Sequence, residues 1–274
     1  MSLFTIDEKK CHRDGICAAE CPLSLIVPPD KDCLPRQIPG ANELCINCGH
    51  CAAVCPRGAL SLTAMPLETM PPIQAELGIS ASQAEQFLRS RRSIRVYKDQ
   101  PVEREVLERL LRLARFAPSG HNIQPVHWTV FSGKEQLQAL AAGTVEWMRW
   151  MMKEQTAMAS LMHMDLVVAQ WEAGKDRILR GAPHVFLAHA PKAERTAPAA
   201  CAIALTYLDL AAKALGLGAC WAGYFGAAAA TFPPLQKALA LPEGHLAMGA
   251  MMVGWPKFTY HRLPERNPAR VTWR

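Results

Sequence analysis

Four cysteines at fixed, short spacing are the residues of this chain best suited to chemistry. Cys45, Cys48, Cys51 and Cys55 form the run C-x2-C-x2-C-x3-C, followed by Pro56. This is the spacing with which thiolates hold an iron–sulfur cluster in a short loop. Thiolates also bind zinc, but zinc sites usually take their cysteines from two separated pairs. Four unconnected buried cysteines would not match a ligand spacing at every step, so the run predicts an iron–sulfur site.

A second cysteine group precedes the first and repeats its pattern. It reads Cys11-x2-Asp14-x2-Cys17-x3-Cys21-Pro22. Every position agrees with the later run except the second, where Asp14 replaces a cysteine. The N-terminal part of the chain is therefore an internal repeat with one altered ligand position.

With these two runs, the N-terminal part resembles the bacterial two-cluster ferredoxins, in which the last cysteine of each run ligates the other cluster. The resemblance implies a [4Fe–4S] cluster on Cys21, Cys45, Cys48 and Cys51, and a second cluster on Cys11, Cys17, Cys55 and Asp14. A carboxylate is a harder ligand than a thiolate. We expect the second cluster to be [4Fe–4S] with an unusual fourth ligand, or to lose one iron and become [3Fe–4S]. Cys33 is an alternative fourth ligand, although its spacing fits a free loop cysteine better.

Composition limits what else the chain can be. It has 274 residues, of which 50% are hydrophobic and 20% charged, as in an ordinary globular protein with one or two domains. Ten cysteines without a signal-peptide pattern indicate metal binding in a reducing cytoplasm. The net charge of +6 is spread along the chain and no nucleic-acid motif accompanies it. We see no apolar run of about 18 residues, so neither a nucleic acid nor a membrane is expected as a partner.

The pattern of strands and prolines divides the chain. Leu3–Ile6 and Ala59–Thr63 alternate like short strands and are expected to pair at the two ends of the cluster unit. A proline-rich stretch then reads as a stiff connector. The sequence predicts a cluster domain over 1–64, a linker over 65–82 and a second domain over 83–274.

Periodicity predicts the helices and strands of the second domain. We expect an amphipathic helix from Pro101 to Ala114, a Met- and Trp-rich helical stretch from Thr144 to Ala173, and an apolar helix from Pro198 to Leu215 that is buried on most sides. The Met- and Trp-rich stretch suits the core or a dimer contact before it suits a substrate pocket. His184–Ala190 and Ala247–Val253 read as buried strands, whose histidines are expected to be satisfied core residues.

Two stretches of this domain suit a ligand. Arg91-Arg92-Ser93-Ile94-Arg95 follows a short helix, and its guanidinium groups and hydroxyl suit a phosphate and the polar edge of a ring. A bare arginine cluster is, however, most often a solvated surface. The small residues around Gly218 and Gly223 allow the backbone to approach a flat ligand, and their spacing does not fit the dinucleotide fingerprint.

Four stretches taken in order resemble the nitroreductase family of FMN flavoproteins. They are R-R-S-I-R at 91–95, A-P-S-G-H-N-I-Q-P at 117–125, L-G-L-G-A-C-W-A-G at 215–223, and the late arginines around 262–266. The resemblance spans about residues 83–274. It implies an α+β sandwich that forms an intertwined homodimer, with FMN in each of two sites at the interface.

The same resemblance implies the FMN contacts. Phosphate, ribityl and pyrimidine groups are implied to contact Arg91, Arg92, Ser93 and Arg95, with Arg262 and Arg266 completing the phosphate site. The dimethylbenzene end is implied to contact Pro118, Ser119 and Asn122 of the partner subunit. The isoalloxazine is implied to lie beside Trp221, Ala222 and Gly223, with a backbone N–H aimed at N5. Some relatives have a glutamate where this chain has Gly223, so only a backbone contact is expected there.

The combined prediction is a ferredoxin–nitroreductase fusion: an FMN-dependent oxidoreductase that reduces a small organic acceptor, such as a nitroaromatic or a quinone, with electrons relayed between the clusters and FMN. Arg95 would stabilise the reduced flavin. No catalytic side chain is required, and His121 and Tyr224 are the candidates if a proton donor is needed. NAD(P)H and an external low-potential carrier both remain possible donors. The alternatives are an electron-transfer module for a partner enzyme, or a flavoenzyme of different chemistry such as dehalogenation or dehydrogenation.

Overall fold

The structure is a computed structural model that describes residues 2–274. The chain divides into two compact units, one that runs to Ile79 and includes His121–Ile123, and one that comprises Ser80–Gly120 and Gln124–Arg274. The division at Ile79 falls within the stretch predicted as a linker, which contains two short 3₁₀ turns, Leu67–Thr69 and Ala75–Leu77. Each unit has its own hydrophobic core.

The first unit consists of very short elements. In chain order they are β1 (Phe4–Ile6), α1 (Ile16–Ala19), β2 (Ile26–Val27), β3 (Arg36–Gln37), α2 (Ala41–Leu44), α3 (His50–Ala53) and β4 (Leu60–Leu62). β1 and β4 pair antiparallel with Phe4 opposite Leu62, which confirms the predicted pairing of the two ends of this unit. Its core is a small cluster that includes Leu25, Ile26 and Leu60. A core of this size is of the kind that metal ligation usually reinforces.

The second unit has a four-stranded sheet and eight helices among the described residues. Its elements are α4 (Ala81–Arg89), α5 (Arg104–Ala114), β5 (His127–Ser132), α6 (Lys134–Glu154), α7 (Thr156–Leu161), α8 (Met164–Glu172), β6 (His184–Pro191), α9 (Ala197–Ala214), β7 (Gly218–Trp221), α10 (Gly223–Thr231), α11 (Pro233–Leu239) and β8 (His245–Gly254). The strand order is β5-β6-β8-β7, and all neighbours are antiparallel. The architecture is the predicted α+β class.

Both faces of this sheet are covered. Along β6, Val185 and Leu187 pack into one core with residues of α6, α8 and α10, whereas Phe186 and Ala188 pack into the other with residues of α5 and α9. Successive side chains of a strand point to opposite faces. A strand buried on both faces therefore reads as a continuous apolar run, which is why β6 could be recognised from the sequence.

Three predicted elements differ from the structure. The helix α5 begins at Arg104 and not at Pro101, so Pro101 lies outside it. The stretch predicted as one long helix is broken at Gln155 and at His163, which has a left-handed φ of 50°, giving α6, α7 and α8.

The third difference concerns α9, which is not buried on most sides. Only 44% of it is buried within the chain, and Ile203 and Tyr207 are exposed. Contrary to our expectation of no such run, α9 is long and apolar enough to cross a membrane by length and composition alone. Its buried face packs against the sheet and α5, as a core helix of a globular unit does.

The two strand histidines are satisfied core residues, as predicted. The N–H of Val102 donates to His184 Nε2 at 2.9 Å, and the hydroxyl of Ser132 lies 2.7 Å from His184 Nδ1. His189 lies 3.1 Å from the Thr129 hydroxyl and 2.9 Å from a ring nitrogen of His245. Burial, with smaller contributions from the neighbouring histidines, lowers the pKa of His189 to about 4.

Candidate functional site

The two cysteine runs of the first unit share one backbone conformation. Gly15 and Gly49 hold equivalent positions, and both are left-handed, with φ of 76° and 77°. The residues two places earlier, Arg13 and Asn47, are also left-handed, with φ of 54° and 50°. Each glycine immediately precedes a one-turn helix, α1 or α3, that carries the third ligand position of its run. The internal repeat seen in the sequence is therefore a repeat of local structure.

One cavity of this unit brings together four thiols. Its lining includes Cys21 from the first run and Cys45, Cys48 and Cys51 from the second, with apolar side chains around them. Burial raises the pKa of Cys51 to about 11, and the facing thiols of the other three cysteines contribute to the rise. Backbone N–H groups of Leu25 and Asn47 lie 3.4 Å from the sulfurs of Cys21 and Cys45. The grouping is the one that the ferredoxin resemblance implies for the first cluster.

A second cavity brings together three thiols and a carboxylate. Cys11, Asp14, Cys17 and Cys55 are all in its lining. The pKa of Cys17 is raised by burial, with further contributions from Cys11, Cys55 and Asp14. Asp14 is exposed, and its Oδ1 accepts a hydrogen bond from the N–H of Ile16 at 3.2 Å. Asp14 thus holds the position that the repeat assigns to a fourth ligand.

Neither grouping has the geometry of a single-ion site. Among residues 2–274, no group of three or more His, Cys, Asp or Glu side chains is arranged to hold one metal ion. A four-iron cluster is larger than one ion and separates its ligands further, so this finding does not bear on it. Cys33 lines neither cavity, and its backbone N–H donates to Asp30 Oδ1 at 2.7 Å.

In the second unit, a capped helix delivers the arginine run to the edge of the sheet. At the start of α4, the Ser80 hydroxyl accepts from the N–H of Gln83, and the Gln83 side chain accepts from the N–H of Ser80. This reciprocal cap fixes where the helix begins. After α4 ends, the N–H of Ile94 donates to the carbonyl of Ala219 in β7 at 2.9 Å. A Cβ at Gly218 would lie 2.5 Å from Ile94, so the close approach needs a glycine.

The arginines of this run have distinct partners. Arg91 pairs with Asp209 of α9 at 3.1 Å, and burial raises the pKa of Asp209 although Arg91 opposes the rise. Arg92 donates to the carbonyls of Arg89 and Arg91, at 2.7 and 2.8 Å. Its Nε is buried and has no hydrogen-bond partner in the structure. Such an orphaned donor is the kind that a bound acceptor oxygen satisfies.

The other residues predicted to contact the flavin phosphate and ribityl groups lie beside β7 and on the C-terminal segment. Ser93 forms an isolated parallel bridge with Ala219. Arg262 and Arg266 are exposed on the irregular C-terminal segment. In that segment, Glu265 lies 3.9 Å from Arg89, at the end of α4. The tail therefore passes near the start of the arginine run.

The turn between β7 and α10 is held to the neighbouring strand. Trp221 ends β7 and is 43% exposed, and the N–H of Ala222 donates to the carbonyl of Ala250 at 2.9 Å. The helix α10 begins at Gly223, and the first N–H groups of a helix have no partner within it. The hydroxyl of Tyr224 donates to the carbonyl of Met162 at 2.8 Å. The three predicted isoalloxazine residues thus lie on one fixed turn.

The loop that contains Pro118, Ser119 and Asn122 was predicted to reach the flavin of the partner subunit, and within one chain it makes other contacts. The N–H of Gln124 donates to the hydroxyl of Ser119 at 2.9 Å, and Pro118 precedes this turn. Asn122 is grouped with the first unit, where its side-chain amide donates to the carbonyls of Ile46 and Asn47 at 3.1 and 3.0 Å. The flavin contact of Asn122 stays a prediction.

A cavity of about 450 Å³ lies beside this turn. Trp221, Gly223 and Tyr224 line it together with Arg95. Its lining also contains two arginines that we did not single out from the sequence, Arg177 and Arg180. A larger cavity of about 870 Å³ shares Arg95 and Arg180 in its lining. Asp209, the partner of Arg91, was also missed, although an acid in an otherwise nearly apolar helix was a visible signal.

Comparison with known proteins follows the division into units. Residues 88–255, more than half of the chain, match the nitroreductase family. Residues 42–61, which contain Cys45, Cys48, Cys51 and Cys55, match a 4Fe–4S binding domain.

Individual proteins also resemble the chain. A protein of Archaeoglobus fulgidus described as an NADH dehydrogenase/NAD(P)H nitroreductase is 25% identical over 185 residues, which are 66% of this chain and 92% of that protein. A 4-nitrobenzoate reductase of Nocardioides sp. is 37% identical over 73 residues, about a quarter of each chain. The crystal structure of a nitroreductase with bound FMN from Desulfitobacterium hafniense superposes with a TM-score of 0.56 at 25% identity, and covers 70% of this chain and 97% of that one.

Proposed function

Because this chain belongs to the nitroreductase family and also carries a 4Fe–4S binding domain, we propose that it is an FMN-dependent oxidoreductase that reduces a small organic acceptor with electrons relayed through iron–sulfur clusters. The observation that carries the proposal is the segment Arg91–Arg95 beside β7, in which the buried Nε of Arg92 has no hydrogen-bond partner among residues 2–274. Relatives described as an NAD(P)H nitroreductase and a 4-nitrobenzoate reductase support a nitroaromatic as the acceptor, and a quinone is the nearest alternative.

The polar groups of the second unit fit FMN. Arg91 and Arg92, with Arg262 and Arg266 of the tail, supply the cationic donors that a phosphate needs. The ion pair with Asp209 fixes the guanidinium of Arg91 while leaving it about a quarter exposed. Ser93 supplies a hydroxyl beside them. We propose that this group holds the phosphate and ribityl chain of the flavin.

The remaining predicted residues suit the ring. Arg95 supplies a cation that favours the reduced, more negative form of a flavin bound beside it. The first-turn N–H groups of α10, at Gly223, supply backbone donors for N5, and the bond from Ala222 to Ala250 holds that turn in place. Trp221 lines the same cavity as Arg95 and Gly223. FMN, when bound, accepts electrons one at a time and delivers two to an acceptor as a hydride.

For the first unit we propose two clusters. Cys21, Cys45, Cys48 and Cys51 would hold a [4Fe–4S] cluster, and Cys11, Cys17, Cys55 and Asp14 would hold a second that is [4Fe–4S] or [3Fe–4S]. The two separate groupings of side chains around two cavities support this assignment. The role of the clusters would be to pass single electrons to or from the flavin. The electron donor would be NAD(P)H or an external low-potential carrier.

We further propose that the protein acts as a homodimer in the cytoplasm. The exposed, apolar outer face of α9, with Ile203 and Tyr207, supports a contact with a second copy. In that assembly, Pro118 and Ser119 of one protomer would approach the flavin of the other.

The proposal is tested on protein purified without oxygen. We expect bound FMN, and iron and sulfide in excess of one four-iron cluster per chain, measured by visible spectrum and chemical assay. Mixing with NADH or NADPH should bleach the flavin band if a nicotinamide is the donor, whereas only dithionite-reduced ferredoxin should do so if the clusters are the entrance. Turnover of a nitroaromatic or a quinone should follow. Colourless protein, or holoprotein that reduces no acceptor of either class, would contradict the proposed function.

A further inference from the structure

The cavity of about 450 Å³ beside the β7–α10 turn has a lining whose charged groups are all cationic. Arg95, Arg177 and Arg180 line it, together with His163, and no acidic residue of the described chain does. None of the three arginines forms an ion pair with a carboxylate in residues 2–274. Guanidinium groups without partners around one cavity favour an anionic ligand, above all a carboxylate or a phosphate.

Arg177 and Arg180 lie on one loop, and the acidic residue of that loop, Asp176, accepts hydrogen bonds from backbone N–H groups. Asp176 Oδ1 accepts from the N–H groups of Ile178 and Leu179, at 2.8 and 2.9 Å, and its Oδ2 accepts from the N–H of Gly181 at 3.1 Å. Its two oxygens accept from three backbone donors, and this carboxylate pairs with no guanidinium group in the described part of the chain. Asp176 therefore does not neutralise the guanidinium group of Arg177, which lines the cavity.

Arg180 is held in an unusual backbone conformation. Its φ is 58°, and that of the following Gly181 is 66°. A non-glycine residue in the left-handed region is disfavoured, and such residues persist where the surrounding structure holds them and often at functional sites. The three hydrogen bonds of Asp176 supply that hold. The loop therefore presents Arg180 to the cavity at a cost in backbone energy.

The rest of the cavity is apolar and partly aromatic. Trp221 and Tyr224 line it with Met162 and Met252, and the hydrogen bond from the Tyr224 hydroxyl to Met162 fixes this side. Aromatic side chains favour a flat ring that lies against them. The volume of about 450 Å³ falls in the range of small-molecule sites, and by the proposed function the part beside Arg95 and Gly223 belongs to the flavin. A ring with one anionic substituent matches this combination of an aromatic side and a cationic side.

We propose that Arg177 and Arg180 bind the carboxylate of an aromatic acid acceptor whose ring lies against Trp221 and Tyr224. The inference rests on the proposed function, which assigns Trp221 and Gly223 to the surroundings of the flavin and Arg95 to the flavin itself. It adds that acceptors with a carboxylate are preferred over neutral ones of the same shape. Arg177 and Arg180 act by positioning the acceptor and take no part in electron transfer.

The test uses FMN-loaded protein with 3-nitrobenzoate and its neutral methyl ester. For the wild type we expect a dissociation constant and a KM at least about tenfold lower for the acid than for the ester, the range of one or two charge-assisted hydrogen bonds. In the double variant Arg177→Gln, Arg180→Gln this preference should vanish, while the FMN content stays that of the wild type. Arg109→Gln, an exposed arginine on α5, is the control and should keep the preference.

Three results would overturn the inference. They are a wild type without preference for the acid, a double variant that keeps the preference, and a double variant that loses FMN, which would assign both arginines to the flavin. If the double variant does not fold, the single variants and the conservative Arg180→Lys decide, since lysine should retain part of the preference. Binding of 3-nitrobenzoate by calorimetry is measured independently of turnover. A protein that binds the acid tightly but reduces neither compound would therefore refute the proposed function alone.

Discussion

The two cysteine cavities of the first unit share a backbone but differ in what surrounds the ligands. The cavity of Cys48 is lined, apart from its thiols, by apolar side chains such as Leu3, Leu25 and Ile46. The cavity of Asp14 contains Lys10, His12, Arg13 and Arg57 in its lining. Cys48 is half-buried, whereas Asp14, at the same place in the repeat, is exposed.

The difference separates two roles of the sequence. The repeated glycines and left-handed residues set where the ligands stand, and they do so equally in both halves. The amide donors are also repeated, since Leu25 N–H approaches Cys21 Sγ at 3.4 Å and Ala59 N–H approaches Cys55 Sγ at 3.2 Å. The identity of the fourth ligand and the charge of the lining are not repeated. Those two features should set how firmly each proposed cluster keeps its iron and how easily it is reduced.

The largest expected effect comes from removing a thiolate from the apolar cavity. Cys48→Ser replaces a soft ligand by a hydroxyl in a place with no charged neighbour to compensate. We expect the first cluster to be lost, which removes roughly half of the roughly eight irons that two four-iron clusters contain. Iron and sulfide analysis of protein purified without oxygen checks this, with Cys33→Ser as a control that should keep its full iron content. Full iron content in Cys48→Ser would remove Cys48 from the ligands.

A smaller gain is expected from making the two halves alike. Asp14→Cys gives the second run the same four thiolates as the first, on a backbone that already has the matching conformation. We expect a second [4Fe–4S] cluster that survives exposure to air and to a chelator, measured by iron retention and by EPR of the reduced protein. Asp14→Ala is the opposite variant and should retain only a three-iron cluster at that place. Identical iron retention in the wild type and in both variants would show that Asp14 is no ligand.

The unmodified protein should show the same asymmetry during oxidation. An exposed carboxylate is the ligand most easily exchanged for water, so the iron that it holds should leave first. Brief treatment with air should therefore produce one [3Fe–4S] EPR signal per chain, and added ferrous iron with a reductant should abolish it. Two such signals per chain would mean that the four-thiol cavity is equally labile, and the comparison between the halves would then fail.

A site could be predicted from the sequence when its residues lie close together along the chain. The cysteines that we propose as ligands could be recognised because the members of each run lie within about a dozen positions, so the spacing itself holds the information. Arg177 and Arg180 were missed because a loop arginine has no local signature. The role that we propose for them depends on Asp176, which accepts hydrogen bonds from the backbone and not from these arginines. It also depends on Trp221, which lines the same cavity but lies about 40 residues further along the chain. The fold class could be predicted because buried strands such as β6 are continuous apolar runs. The start of α5 at Arg104 could not be predicted.

The smallest expected effect comes from changing the charge of the cavity that contains Asp14 without changing any proposed ligand. Arg57 is exposed and lines the cavity of Asp14, where a positive charge favours the more negative, reduced form of a cluster. An exposed charge contributes about 0.2–1 kcal/mol to such an interaction, which for one electron corresponds to a change on the order of ten to forty millivolts. Arg57→Gln should therefore lower the reduction potential of the second cluster by that amount, measured by EPR-monitored titration, and leave the first cluster unchanged. The change should shrink at high ionic strength, because salt screens exposed charges. An equal shift in both clusters would indicate a general effect of net charge, and the two cavities would then not be electrostatically distinct.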